Sequence, residues 1–477
     1  MRLTAFPLLL ALSACSLAPD LTKPDLPVPA AYPAPGPVAV EGDPAADLGW
    51  RTMFGDPRLH RLIDLALENN RDLRLAALNV EAVQAQYMIQ RAARIPAVNA
   101  NAGTTRQRIA ADRTTDPATQ ARIQSQHSLG LGISGFEIDL FGRVRSLSEA
   151  AFARYLASEE GRRAAHIALV GAVADAYFAE RLAREQLDLA EQTLADWRQS
   201  LDLARRLKAA DQTSGLDITQ AEGQVATAEA DLEGRTRALA RATNALTLLV
   251  GTALPADLPP PGVLDSTSVR TRLPVGLPSD LLTRRPDIRR AEQALVAANA
   301  DIGAARAAFF PRLSLTASLG TASPMLGSLF DGGQGVWSFA PQITQSLFLD
   351  GQLQAELRLA EIRKSEAIAE YERAIQTAFR EVADGLAGTA TYGRQIEAQT
   401  RMVASAERRV ELSSLRYRAG QEGRLELLDS QRQLYAARQT LLDIKRDEIS
   451  NAIGLYKALG GGLDDQTDDG PAAPSRD

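Results

Sequence analysis

The chain has 477 residues, 53 of them basic and 59 acidic, for a formal net charge of −6. That balance is too even and too mildly acidic for a nucleic-acid binder, and three histidines with one cysteine exclude a disulfide scaffold and leave little for a zinc site. Hydrophobic residues make up 45% and aromatics only 5%, so the apolar content is mostly Ala and Leu, a composition that favours helix.

Residues 1–14 read as a signal peptide. Arg2 precedes the apolar run Ala5 to Leu12, and small residues lead out to Cys15. The run is far short of the ~20 apolar residues of a spanning helix. Leu12-Ser13-Ala14-Cys15 resembles the bacterial lipoprotein signal, which implies an S-diacylglycerol and an N-acyl group on Cys15, and no other cofactor. Ser16, where an Asp would favour the inner membrane, implies the outer membrane. The alternative is an ordinary secretory signal with an incidental cysteine. Acyl chains add about 0.8 kcal/mol per buried methylene, so several would anchor firmly. Residues 15–50, rich in Pro, Ala and Asp, read as an extended lipid-anchored tether.

Residues 51–251 hold a helix, a strand pair, a long helix and a shorter helix. Leu62, Leu65, Ala66 and Leu73 open a helical face that should run to about Ile95. Two strand-like stretches between Ala97 and Phe141 flank a polar loop, Arg106 to Gln126. Leu129, Leu131 and Ile133 alternate, and the phase then jumps to Phe136, Ile138 and Leu140. The slip at Ser134-Gly135 is either a bulge or a change of environment. Arg143 to Lys208 contains no proline; as one helix it would span on the order of 100 Å and need coiled-coil support. Leu187, Leu194 and Leu201 supply the heptad. A Gly-marked turn, Asp211 to Asp217, should reverse the chain into a helix ending near Gly251. Residues 252–280 are Pro-rich, an irregular crossover on the outside.

Residues 281–460 repeat the order. Asp72 to Pro96 aligns without a gap on Asp287 to Pro311, 215 residues on. From Gly142 and Gly351 the offset becomes 209, carrying Gln220 to Asp429, Ala221 to Ser430 and Gly251 to Gly460. The shift therefore falls within the strand pairs, and each copy is one structural unit. Pro286 can open a helix, Ile288, Ala291, Leu295, Ala298 and Ile302 give it one face, and Pro311 stops it. Leu313, Leu315, Ala317 and Leu319 then alternate with Ser314, Thr316, Ser318 and Gly320. Trp337, Phe339, Ile343 and Leu347 oppose Ser338, Gln342, Thr344 and Ser346 in the same way. Two-faced strands of about 9–11 residues suit an outer-membrane barrel, although a half-buried soluble sheet has the same pattern. Four strands cannot close around a pore, so the membrane reading requires several copies of the chain. Gln352 to Gln421 is proline-free, Leu427, Leu434 and Leu441 keep heptad spacing, and Arg418 to Glu426 forms the second turn. The acidic tail 461–477, with Asp464, Asp465, Asp468 and Asp469, reads as disordered.

No catalytic constellation appears. His60, His127 and His166 are scattered, no Ser-His-Asp, HExxH or CxxC order exists, and Gly130-Leu-Gly132 lacks the rest of a dinucleotide fingerprint. Paired carboxylates such as Glu159-Glu160 read as solvated charge. The expectation is neither an enzyme nor a metal site. One polar cluster stands out after the second turn: Leu425 and Asp429 share a helix face and Arg432 is adjacent to Asp429. Spacing alone favours an ordinary ion pair worth a few tenths of a kcal/mol.

Four ordered motifs, GLPSDLLTRRPDIRRAEQAL (276–295), ANADIGAARAAFFPRLSLTAS (298–318), FEIDLFGRVRS (136–146) and RAGQEGRLELLDSQRQL (418–434), resemble the outer membrane factor family. These are the TolC-like and OprM-like ducts, among them NodT-type efflux lipoproteins. The resemblance covers about Leu17 to Gly460. It implies a mainly α chain with a membrane β-barrel: a homotrimer of two-repeat protomers sharing one twelve-stranded barrel in outer-membrane lipid, above a long periplasmic helical barrel. It implies a passive duct for small molecules, fed by a proton-driven inner-membrane pump through a periplasmic adaptor, with no nucleic acid involved. It further implies a periplasmic gate at Leu425, Asp429 and Arg432, whose first-copy counterparts Leu216, Gln220 and Gly223 lack the charge pair. Adaptor contacts would fall on Thr213, Ser214, Gly215 and Leu216 and on Gly420, Gln421, Glu422 and Gly423. A type I protein-secretion duct is the alternative within transport; a trimeric coiled-coil surface adhesin or a soluble lipid-anchored binding protein are alternatives outside it.

Overall fold

The structure, a computed structural model, describes residues 17–32, 45, 47–109, 122–274 and 278–463. The signal segment, Cys15 and the acidic tail from Asp464 lie outside the described residues. In chain order the elements are α1 (Trp50–Met53), α2 (Pro57–Asn69), α3 (Arg71–Ala92), β1 (Val98–Ile109), β2 (Arg122–Ile138), α4 (Arg143–Ala209), α5 (Gly215–Val250), α6 (Leu281–Arg284), α7 (Pro286–Ala307), β3 (Arg312–Ser323), β4 (Gly335–Thr344), α8 (Gln352–Arg418) and α9 (Arg424–Ala458). No described helix is long and apolar enough to cross a membrane. Two compact units divide the chain. One joins the residues up to Pro24 with Val80–Ser158 and Arg290–Tyr371; the other joins Asp25–Asn79, Glu159–Arg289 and the residues from Glu372.

The first unit carries an antiparallel four-stranded sheet in the order β1-β2-β3-β4. Register puts Ala100, Leu131, Leu319 and Trp337 in one row, and Ile133, Ala317 and Phe339 in the next. One face is therefore apolar across all four strands. The irregularity at Ser134-Gly135 is a bulge: the β2–β3 register shifts between Ile133 and Phe136, and Gly135 takes φ 63°. One extra residue returns Phe136 and Ile138 to the apolar side, opposite Leu315 and Leu313. Within the chain this face is bare; Trp337 is 76% exposed and Phe339 63%. Contiguous apolar exposure of that kind marks a membrane or subunit contact. The strands differ from expectation at their ends. β1 and β2 run into the polar stretch 106–126, whereas β4 stops at Thr344, leaving Leu347 beyond it.

The same unit also holds the start of the expected tether, which is not free. Leu17 to Lys23 lies along α7: Arg306 Nη1 donates to the Leu17 carbonyl at 3.3 Å and Asn299 Nδ2 to that of Pro19 at 2.8 Å. Lys23 pairs with Glu292 at 2.5 Å. Gly303 makes the seat, since a Cβ there would lie 2.9 Å from Ala18.

The second unit is helical and holds α4 from Glu159 and α8 from Glu372. These helices are each 67 residues long in all, and they fold back through short turns into α5 and α9 respectively. Leu187, Leu194 and Leu201 are buried as the heptad requires. Leu194 and Leu201 cluster with Trp197, Ala221, Val225 and Ala228, and Leu187 with Ala183 and Leu239. Each buried leucine contributes about 1.5–3 kcal/mol. Small partners such as Ala221 and Ala228 let the helices approach closely.

Two expectations fail in this unit. The helix foreseen from Leu62 to about Ile95 is broken, because Asn70 is extended (φ −64°, ψ 130°). Its Oδ1 instead accepts from Leu73 N at 2.9 Å and starts α3, a capping role open to Asn. The Pro-rich crossover is irregular but not merely external. Leu264, Val269 and Leu273 are buried, Val269 bridges Phe54, and Gly55 N and Arg270 N bond Ser268 O and Met53 O at 2.9 and 3.1 Å. Beneath it Tyr177 Oη donates to Asp56 at 2.5 Å. Burial first, and then that bond, hold the phenol protonated well above its usual range.

Candidate functional site

The residues singled out by sequence lie at the two turns that reverse the long helices. After α4, Asp211 takes a left-handed conformation (φ 53°) and Gln212 N bonds Leu207 O at 2.9 Å. Ser214 and Asp217 then form a reciprocal capping box. Ser214 Oγ accepts from Asp217 N at 3.2 Å, and Asp217 Oδ2 accepts from Ser214 N at 3.0 Å and Thr213 Oγ1 at 2.5 Å. The Thr213 hydroxyl, the Ser214 bonds and the Arg424 charge together hold the Asp217 carboxyl below the usual carboxylate range. Gly215 opens α5, and Leu216 beside it is 66% exposed.

The second turn has the same outline and different chemistry. Gly420 is left-handed (φ 69°), and Gln421 N bonds Arg416 O at 3.0 Å. Gly423 stands at the N-cap of α9 and has no side chain with which to cap it. Glu422 reaches back to Arg416 at 3.4 Å. Leu425 projects with 68% exposure.

Asp429 and Arg432 are neighbours, but their separation is 3.9 Å. The closest partner of Asp429 is Gln433, whose Nε2 donates at 2.6 Å. Arg409 of α8 is as near as Arg432, at 3.8 Å; it also holds Glu426 at 2.7 Å and Gln433 at 2.7 Å. The expected pair is thus one edge of a five-residue network and, within one chain, its longest edge. Exposed pairs of this length contribute little to stability.

Two residues of this region escaped sequence reasoning. Arg409 lies twenty positions before Asp429, beyond any spacing rule for one helix; only pairing α8 with α9 about the turn brings it in. Arg424 belongs to the quoted motif, but no spacing rule singles it out. It is 2% exposed, and among the described residues its bonds run to neutral groups: Ser200 O at 3.2 and 3.3 Å, Ser200 Oγ at 3.2 Å and Tyr417 Oη at 3.5 Å. The guanidinium lies over the Tyr417 ring, 5.8 Å from its centre. It joins the start of α9 to α4.

Behind the cluster a cavity of about 320 Å³ is lined by Trp197, Asp231, Arg432 and Tyr435 among others. Tyr435 Oη donates to Asp231, and burial, with that bond, pushes the phenol up to about 12. No group of acidic, histidine or cysteine side chains among the described residues could hold a metal ion. The second turn thus presents charge and an apolar projection together at the end of its helical hairpin.

The chain matches the family described as "Outer membrane efflux protein" over residues 62–252 and 277–461. It is 46% identical over 459 residues to the probable efflux pump outer membrane protein TtgC of Pseudomonas putida, covering 96% of this chain and 94% of that protein. It is 43% identical over 464 residues to the cation efflux system protein CusC of Escherichia coli, covering 97% and 98%. Among solved structures, the open state of the MtrE outer membrane channel of Neisseria gonorrhoeae superposes with a TM-score of 0.86 at 40% identity. That match covers 95% of this chain and 100% of that one.

Proposed function

The chain belongs to the outer membrane efflux protein family, and from that premise we propose how this outer-membrane efflux channel is assembled and gated. Three copies join their four-stranded sheets into one twelve-stranded barrel. The observation that carries this is the sheet itself, apolar across one face and paired at β1 and β4 on one side only. An open edge and a bare apolar face are both costly in water, and closure with copies of the same sheet in lipid removes both. The polar face, with Ser314, Thr316 and Ser318, then lines water.

Cys15 carries the lipid and retains the N-terminus at the outer membrane. The turns Thr213–Leu216 and Gly420–Gly423 receive a periplasmic adaptor, which couples the duct to a proton-driven inner-membrane pump. Leu425, Asp429 and Arg432 form the closed entrance. Around a threefold axis three Asp429 carboxylates repel one another unless each is paired. Arg432, 70% exposed and only loosely held within its own chain, is free to pair with a carboxylate of a neighbouring copy. The quoted relatives are named for efflux, which favours small solutes or ions over secreted protein as cargo.

Mass measurement of the detergent-extracted protein, followed by insertion into planar bilayers, tests the assembly. A trimer that conducts ions is expected. A monodisperse monomer without channel activity would overturn it.

A further inference from the structure

The bases of the two helical hairpins share one backbone plan, and an added charged tie lies on the hairpin that bears the candidate gate. Gly251 (φ 77°) follows α5, and a Cβ there would lie 2.5 Å from the Asn69 carbonyl. Gly460 (φ 90°) follows α9, and its Cβ would lie 3.1 Å from the Arg284 carbonyl. The next residue in each case clamps the last helical turn. Asn70 Nδ2 donates to Leu249 O at 2.8 Å, and Arg285 Nη1 to Ala458 O at 2.9 Å. Every member of the first set maps on the second through the sequence offsets, Asn69 and Asn70 by 215 and Leu249 and Gly251 by 209.

The clamps differ in reach. Asn70 spends its other amide atom on Leu73 N and joins two elements. Arg285 joins three. Its Nε and Nη2 grip Asp287 at 3.0 and 2.6 Å, and Nη1 also bonds Glu381 of α8 at 2.7 Å. The position matching Glu381 in α4 is Ala172, so the first hairpin cannot make this tie. α8 and α9 are packed tightly here; Asn451 Nδ2 donates to Gly385 O at 3.0 Å, and a Cβ on Gly388 would lie 2.1 Å from Asn451 Oδ1. The 35 residues of α9 place the turn roughly 50 Å from this base at 1.5 Å per residue.

We propose that Arg285 is the positioning residue of the gate: it pins α8 and α9 at their base, so that the α8–α9 hairpin moves from a fixed point. The planar guanidinium can hold Asp287, Glu381 and a main-chain carbonyl at once, which neither Asn nor the point charge of Lys can do. The first hairpin carries the neutral clamp and, at its tip, the neutral residues Gln220 and Gly223. At the positions that correspond through the repeat, Arg285, Glu381, Asp429 and Arg432 of the second hairpin are charged, whereas Asn70, Ala172, Gln220 and Gly223 of the first are not. The proposal rests on reading Leu425, Asp429 and Arg432 as the gate.

The test uses the full-length lipidated trimer with a spin label on Gln421→Cys, read by tip-to-tip distances, and unlabelled trimers read by bilayer conductance. Arg285→Asn, which installs the first-copy residue, should broaden the distance distribution and raise the open-to-closed ratio about tenfold, equivalent to about 1.4 kcal/mol. Arg285→Lys should not rescue it, and Asn70→Ala should lower the melting temperature while leaving both readouts unchanged. Should Arg285→Asn fail to assemble, Glu381→Ala removes the same tie and is expected to move both readouts in the same direction. A folded Arg285→Asn or Glu381→Ala trimer with wild-type distances overturns the proposal. If Asp429→Ala/Arg432→Ala leaves conductance unchanged, the gate reading falls instead, and the distances still decide whether Arg285 positions the tip.

Discussion

The two turns share a backbone plan and divide its chemistry. At the first, Thr213, Ser214 and Asp217 satisfy the helix start within the turn itself. At the second, Gly423 leaves α9 uncapped, Arg424 is buried against α4, and Asp429 and Arg432 stand outward in a loose network. The first is a closed local structure; the second depends on partners further away. The two turns show how one backbone plan can carry either a self-contained cap or a network that reaches across to the neighbouring helix.

Breaking the first hairpin should have the largest effect. Leu194→Ala opens a cavity among Trp197, Leu201 and Val225 and should cost about 2–5 kcal/mol, measured as a lowered denaturation midpoint. The caps give a sharper contrast. Ser214→Ala should cost about 1 kcal/mol, whereas Gly423→Ser should gain only a few tenths, because Gly is already a fair N-cap; thermal unfolding of the two variants compares them directly.

A difference in pH response follows. The Asp217 carboxyl titrates below its unfolded value, so its contribution is present above the ordinary carboxylate pKa and is lost as pH falls through the depressed one. Melting temperature recorded on acidification should fall less steeply in Asp217→Asn than in the wild type. The smallest effect belongs to the second tip. Arg409→Ala should lower the melting temperature slightly and Arg432→Ala by less, because Arg409 holds three side chains and Arg432 one at 3.9 Å.

Long elements were legible because proline and glycine punctuate them. Pro286, Pro311, Gly142, Gly251, Gly351 and Gly460 stand at or beside observed ends, and the phase slip at Ser134-Gly135 marked the place where register, rather than sequence, decides for a bulge. The break at Asn70 was not legible, since an Asn within an apolar periodicity serves equally as a mid-helix residue or a cap. Burial in the crossover was hidden because its prolines mask the spacing of Leu264, Val269 and Leu273. At the candidate site, spacing on α9 groups Leu425, Asp429 and Arg432 but reads them as an ordinary ion pair; the gate reading comes from the family resemblance. Arg409 and the Arg285 clamp needed the pairing of α8 with α9, which no local pattern carries.

The most direct test of the account is single-channel conductance of the purified protein in planar bilayers, with Asp429 and Arg432 both replaced by alanine. The account predicts a clear rise over the wild type, with the corresponding first-copy substitution Gln220→Ala leaving conductance as it was. Unchanged conductance in a well-folded Asp429→Ala/Arg432→Ala protein would contradict it.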